Sequence, residues 1–406
     1  MTVEVLPLGV TCNLSCGYCY EHPIRDAGNF DKSYDLVKIK TSIEKHNYRF
    51  TIFGGEPLLV PIKDLEELWR WGFEKHGGTG IQTNGTLITD EHIELFKKYH
   101  VHLGMSLDGP DEMNDSRWAG SLEKTRLMTK RSADSLKKCL EQGISASLIV
   151  TLHAGNASTP EKLNKLKEWF KMYDGLKLKS SRIHLLEVDH VSLIDSSYIL
   201  TEEQNIHAML ELSEFEKELV NFKFDMFKDI KKLLVGDDAD TTCVWNACDP
   251  YTTRAVQGVD SDGEAKNCGR SNKDGVDHIK ADAPGFERQL ALYNTLQEFN
   301  GCYGCRFFMM CKGECPGTAV DADWRNRTRD CKVWYTLFEK FEMETINEGK
   351  FPLSLHPRRE EMEMVMLKQF EQGKYVTIHS IAAQVKSMPE PTPIITPIVT
   401  MPDEVL

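Results

Sequence analysis

Hydrophobic and polar positions in the first half of the chain alternate between two periods. Short apolar runs at 3–10 and 48–53, a stretch ending at 81–86, and runs at 101–107, 146–152 and 182–187 read as six strands. Between them, 33–45, 64–76, 90–99, 132–142 and 160–172 carry helical spacing, clearest where Leu65, Leu68, Trp69 and Phe73 fall on one face. Strands and helices alternating at this length predict a parallel sheet with right-handed crossovers. Six such units fit an α/β fold of the partial (β/α)6 kind, a TIM-like barrel open on one side, with its chemistry at the carboxyl ends of the strands.

The pattern changes in the second half. Residues 201–234 are rich in Glu, Lys, Leu and Phe and predict one or two linking helices, ended by the run 236–240. A cysteine-rich stretch follows, then helices over 333–347 and 359–372. Met362, Met364 and Met366 in the last of these are read as packing residues. Prolines at 389, 391, 393, 397 and 402 exclude a helix in the tail. The predicted organisation is a barrel over 1–200, a helical linker over 201–240, a cysteine-rich domain over 241–348, a helical extension over 349–387 and a proline-rich tail over 388–406.

Composition narrows the partners. The 406 residues include 41% hydrophobic ones, enough for buried cores. The formal charge of −13 argues against nucleic acid, because phosphate binding needs a basic face. The first ten residues contain Glu4 and Pro7 and do not read as a signal peptide, and no apolar run is long enough to span a membrane. Twelve cysteines without a secretion signal predict reduced thiols used as metal ligands in a cytoplasmic protein.

The first of these thiols share one tight loop. Cys12, Cys16 and Cys19 are spaced C-x3-C-x2-C directly after the first strand, with Tyr18 between the last two. Three thiolates can hold three irons of a [4Fe-4S] cubane and leave the fourth open to a small molecule. Zinc is the alternative, although structural zinc sites favour ligand pairs two to four residues apart. Further polar groups cluster at successive strand ends: Gly54-Gly55-Glu56-Pro57, then Thr83-Asn84-Gly85, then Ser106-Leu107-Asp108-Gly109. Taken singly, Gly-Gly-Glu-Pro, Asn-Gly and Asp-Gly are ordinary turn sequences. Four motifs on one barrel rim are harder to dismiss. Cys139, at helical spacing between Leu136 and Leu140, is expected to be a buried small hydrophobe.

The loop resembles the C-x3-C-x-aromatic-C signature of the radical S-adenosylmethionine (SAM) enzymes. In that family the open iron chelates the amino and carboxylate groups of SAM, and an electron from the cluster releases a 5′-deoxyadenosyl radical that abstracts a substrate hydrogen. The resemblance implies that Gly54, Gly55, Glu56 and Pro57 form the element that meets the amino group of SAM. Ser106 is implied at its carboxylate or ribose, with Tyr18, Thr83, Asn84 and Asp108 as further contacts.

The later cysteines, Cys243, Cys248, Cys268, Cys302, Cys305, Cys311, Cys315 and Cys331, supply two sites of four. Their layout, with a hairpin expected around 259–263, resembles the SPASM domain of peptide-modifying radical SAM enzymes. By that resemblance Cys243, Cys248, Cys268 and Cys315 hold one auxiliary cluster, and Cys302, Cys305, Cys311 and Cys331 the other. The implied cofactors are three [4Fe-4S] clusters and SAM.

The function expected is a maturase of a ribosomally made precursor peptide that installs a thioether, C–C or C–O crosslink. An electron donor such as flavodoxin or ferredoxin would reduce it. Because the cysteine loop begins at residue 12, leader recognition is expected from the barrel rim, the linking helices or a separate protein. The alternative within this chemistry is an anaerobic sulfatase-maturating enzyme, which makes formylglycine from Cys or Ser. Those enzymes carry an aspartate, thought to act as base, where this chain has Gly269. A non-catalytic iron–sulfur electron carrier accounts for the later cysteines but not for the three-cysteine loop.

Overall fold

The structure is a computed structural model and describes residues 3–22, 33–46, 49–187, 196–252, 256–271 and 285–387. Tyr48, expected to open the second strand, and the proline-rich tail lie outside them. Six strands run parallel and in chain order: β1 (Val3–Val5), β2 (Phe50–Ile52), β3 (Gly80–Thr83), β4 (His102–Ser106), β5 (Ala146–Leu152) and β6 (Ser180–Leu185). The register pairs Val3 with Phe50, Gly80 with His102, Leu103 with Ala146 and Ser147 with Ser180. Helices α1 (Leu36–His46), α2 (Ile62–His76), α3 (Asp90–Lys98), α4 (Leu122–Glu141) and α5 (Pro160–Gly175) return the chain between strands.

Local chemistry sets these boundaries. Thr89, one residue before the expected start, caps α3 by accepting from the His92 amide. Ser121 caps α4, which begins ten residues before the stretch expected from its spacing because Thr125 and Thr129 pack inward as well as Leu136 and Cys139. Thr159 with Pro160 at the first helical position starts α5. The core lies between sheet and helices, where Val3, Ile52, Leu103, Met105, Leu148 and Val150 meet Leu65, Leu68, Trp69, Leu136, Leu166 and Phe170, all buried. Cys139 is fully buried among them, as its spacing predicts.

The sheet continues beyond six strands at both edges. The stretch expected to be a linker forms α6 (Glu202–Phe215) and α7 (Asp225–Leu234), but between them β7 (Lys223–Phe224) adds in parallel to β6. Its register was hidden because two residues carry no periodicity. On the other edge β8 (Gln257–Val259) pairs in parallel with β1, Val3 opposite Gln257, and turns back into β9 (Ala265–Lys266). Asp260 Oδ1 accepts from the amides of Asp262 and Glu264, and Gly263 takes φ 78° to close the expected hairpin. The cysteine-rich region is therefore hydrogen-bonded into the barrel sheet.

Helices α8 (Glu287–Asn294), α9 (Cys331–Asn347), α10 (Arg359–Glu371) and α11 (Ile378–Ser387) follow among the described residues. Trp245 packs edge-on against Trp334 and Phe338 of α9, with ring centroids 5.7 and 5.6 Å apart. Phe286 stacks on Phe370 of α10 at 4.3 Å. Met362 and Met366 are buried as expected, whereas Met364 is 47% exposed. No helix among the described residues is long and apolar enough to cross a membrane.

Candidate active site

Alternation along the barrel strands divides their side chains between two surfaces. While Val3, Val5, Ile81, Leu103, Leu148 and Ile183 enter the core, Glu4, Gln82, Ser106, Ile149, Thr151, Arg182 and His184 point into a cavity at the carboxyl ends of the strands. Water can occupy about 230 Å³ of it. Of the residues singled out from sequence, Cys12, Cys16, Tyr18, Cys19, Gly54, Gly55, Thr83, Asn84, Ser106, Cys243 and Cys268 line this one cavity. The polar strand residues Gln82, Arg182 and His184 were missed. They could have been found as the positions that alternate with the apolar set.

The cysteine loop is held from three sides. Gly17 and Ser15 amides donate to the carbonyls of Ser116 and Trp118, each at 2.8 Å. Gly55 and Glu56 amides donate to Gly9 and Thr11, at 3.0 and 2.8 Å. A Cβ on Gly55 would fall inside the van der Waals radius of the Thr11 carbonyl, so a glycine is required there. Asn84 Nδ2 donates to Asn13 Oδ1 at 2.8 Å, and Asn13 Nδ2 to Thr86 Oγ1 at 2.8 Å. Asn84 thus braces the loop as well as lining the cavity.

Three residues expected at the cofactor lie off the lining. Glu56 is buried: its Oε1 accepts from Thr83 Oγ1 at 2.6 Å and the Leu58 amide at 3.0 Å, and its Oε2 from the Asn84 amide at 2.8 Å. Burial raises its carboxyl to about 6 even against these three bonds. Pro57 is buried in the turn that follows. Asp108 is fully buried, its carboxylate held bidentately by Arg117 at 3.0 and 3.1 Å and by the Thr151 amide at 3.0 Å. The Tyr18 hydroxyl donates to the same carboxylate. Asp108 therefore orients Arg117 and Tyr18, both on the lining, and does not face the cavity itself.

The cavity carries several cations. Arg117 is paired as described, Arg270 with Glu187, and Arg182 with Asp225 at 3.5 Å. Burial first, and then these three arginines, hold His184 well below its usual range, so it is a neutral imidazole at pH 7. Glu187, at the end of the sixth strand run, is committed to Arg270. Glu21 is also buried on the lining. A Cβ on Gly269 would lie 3.1 Å from Glu21 Oε1, so a carboxylate stands beside Gly269, supplied by residue 21.

None of the twelve cysteines forms a disulfide. Cys139 stands apart in the core, and the other eleven fall into three neighbourhoods. Burial raises Cys16 to about 12, and the neighbouring Cys19 and Cys12 add to it in a smaller way. Cys268 lies in the field of Cys243 and Cys315, and Cys315 in that of Cys248. Cys311 lies in the field of Cys302, Cys305 and Cys331. Among the described residues no three His, Cys, Asp or Glu side chains converge as a single metal ion requires. A cubane spreads its thiolates over separate corners and would fit three thiols in the first group and four in each of the others.

Comparison with known proteins agrees with this geometry. Residues 6–169 match the family model of the radical SAM superfamily. The chain is 24% identical over 392 residues to a serine-type anaerobic sulfatase-maturating enzyme of Bacteroides thetaiotaomicron, covering 83% of this chain and 88% of that one. It is 23% identical over 375 residues to a cysteine-type counterpart from Clostridium novyi, covering 84% and 95%. Among solved structures, anSMEcpe with bound AdoMet superposes with a TM-score of 0.65 at 20% identity, over 86% of this chain and 98% of that one. Streptococcus suis SuiB bound to the precursor peptide SuiA superposes with 0.53 at 18% identity, over 81% and 75%. The chain shares the fold of these proteins from barrel to cysteine-rich region, and its residues 6–169 are a radical SAM domain.

Proposed function

We propose that this protein is a radical SAM maturase that oxidises a side chain of a peptide or protein, and that the reaction is of the sulfatase-maturating type. In this reading Cys12, Cys16 and Cys19 hold the SAM-binding cluster, and Gly54, Gly55, Thr83, Asn84 and Ser106 form the SAM pocket. The two later groups of four cysteines hold auxiliary clusters. With SAM, the first cluster supplies a radical able to remove a hydrogen that ordinary bases cannot.

The protein's own part is placement. Arg117 and Tyr18, fixed by Asp108, form a rigid floor beneath the cysteine loop. The observation that carries the reading is that one cavity is lined both by the first three cysteines and by Cys243 and Cys268. A substrate side chain there lies between the hydrogen-abstracting end and an electron outlet. Relatives matched over most of their length favour formylglycine formation over the crosslink expected from sequence. The missing aspartate at 269 was the argument against it, and the Glu21 carboxylate beside Gly269 weakens that argument.

The test uses anaerobically reconstituted, dithionite-reduced enzyme with SAM and peptides carrying a target Ser or Cys. Formation of 5′-deoxyadenosine, lost in Cys16→Ala, together with a hydrazide-reactive aldehyde, is the expected result. A loss of two hydrogens without aldehyde, and with fragmentation blocked inside a ring, would return the reaction to the crosslinking class. No 5′-deoxyadenosine from loaded wild-type enzyme would refute both.

A further inference from the structure

One buried ion is used by nothing described so far. Arg288, on α8, is fully buried, and its guanidinium donates only to peptide carbonyls. Nε donates to Trp324 O at 2.6 Å, Nη1 to Glu314 O at 2.8 Å and Cys248 O at 3.4 Å, and Nη2 to Gly313 O and Asn326 O, each at 3.0 Å. At Gly313 (φ 82°) a Cβ would meet Leu292 Cδ1 at 2.3 Å and this guanidinium at 3.3 Å, so the glycine is required where the chain passes them.

None of the ion pairs among the described residues includes Arg288. Arg117, also buried, has Asp108, and the partly buried Arg270 and Arg359 have Glu187 and Glu363. A buried ion whose donors are all satisfied still carries its charge, and burying it with no opposite charge nearby is costly. Its surroundings are the thiols of both later groups. It bonds the carbonyl of Cys248 and those of Gly313 and Glu314, two of the three residues between Cys311 and Cys315.

We infer that the counter-charge of Arg288 is the pair of auxiliary clusters, and that Arg288 is a positioning residue that stabilises their reduced states. The inference rests on the cluster assignment proposed above. Four thiolates outweigh the positive charge of the iron–sulfide core they hold, so such a cluster is an anion, and reduction adds a further negative charge. A fixed cation between two of them, in a medium of low dielectric, favours that added electron. It also fits a route on which an electron leaving the substrate must be accepted twice.

The experiment compares reconstituted wild-type protein with Arg288→Gln and Arg288→Lys by iron and sulfide content and by an EPR-monitored redox titration. Lysine keeps the charge but cannot make the five-bond fork; glutamine loses both. The expected result is that R288Q moves at least one auxiliary cluster to a more negative potential, or loses its iron, while R288K stays near wild type. Fully loaded R288Q with unchanged potentials would overturn the inference alone. Equal iron loss in R288Q and R288K would also overturn it, leaving a purely structural staple. Wild-type protein carrying iron for one cluster only would overturn the cluster assignment itself.

Discussion

Asp108→Asn tests the floor of the active site most directly. The wild-type carboxylate is fully buried and receives two bonds from Arg117, one from the Thr151 amide and one from the Tyr18 hydroxyl. Arg117 is itself only 10% exposed at its side chain, so the asparagine leaves a buried cation without its partner. Breaking a buried pair in this way costs about 3–5 kcal/mol. Because about 1.4 kcal/mol is a factor of ten, exchange of amides released by opening this region should quicken by roughly two to four powers of ten. Hydrogen exchange with mass spectrometry on the metal-free chain reads this at the end of β5, where Thr151 donates to Asp108, and in the cysteine loop, where Gly17 is tied to Ser116. Arg117→Met on its own should also be costly, and the double variant much less so than the sum. An increase under tenfold, or single-variant effects that add to within about 0.5 kcal/mol, would refute the coupling.

Three further outcomes are expected. The Glu56 carboxyl sits near 6 against an ordinary 4.5, so the native state holds its proton more tightly and this group's contribution falls as pH rises from 4.5 through 6. The stability of Glu56→Gln relative to wild type should therefore improve by about 2 kcal/mol between pH 4.5 and pH 7 in chemical denaturation, and a difference independent of pH would exclude this. Gly55→Ala should cost the protein the iron of the first cluster while iron at the later cysteines remains, because the new methyl group displaces Thr11; full iron content would contradict the close approach. Gly269→Asp should lower the melting temperature by setting a second carboxylate against Glu21, and Glu21→Ala should restore it; no rescue would mean that the two positions do not meet.

The barrel and its rim were legible because strand ends and turn residues are local. Val3 to Val5 and Gly54-Gly55 announce themselves within a few positions, and the thiol groupings follow from spacing together with the resemblance. The direction of a side chain beyond a strand end is not local. Asp108 reads as a rim residue until Arg117, nine positions later, folds back and draws it beneath the cavity. Glu56 is likewise turned inward by Thr83, which only the neighbouring strand brings near. Arg288 was invisible because its partners are main-chain carbonyls, and these have no sequence signature. Gln82, Arg182 and His184 were within reach, as polar residues out of phase with the apolar ones on strands otherwise read for their core.

The pairing of β8 with β1 means that the two halves of this molecule share a backbone seam. A fragment ending near residue 240 would leave β1 with a bare row of amides and carbonyls, an adhesive margin prone to stack on its own kind. The same seam fixes how far the loop after β1 stands from Cys268 after β9, so that span belongs to the scaffold and cannot be retuned by swinging one half against the other.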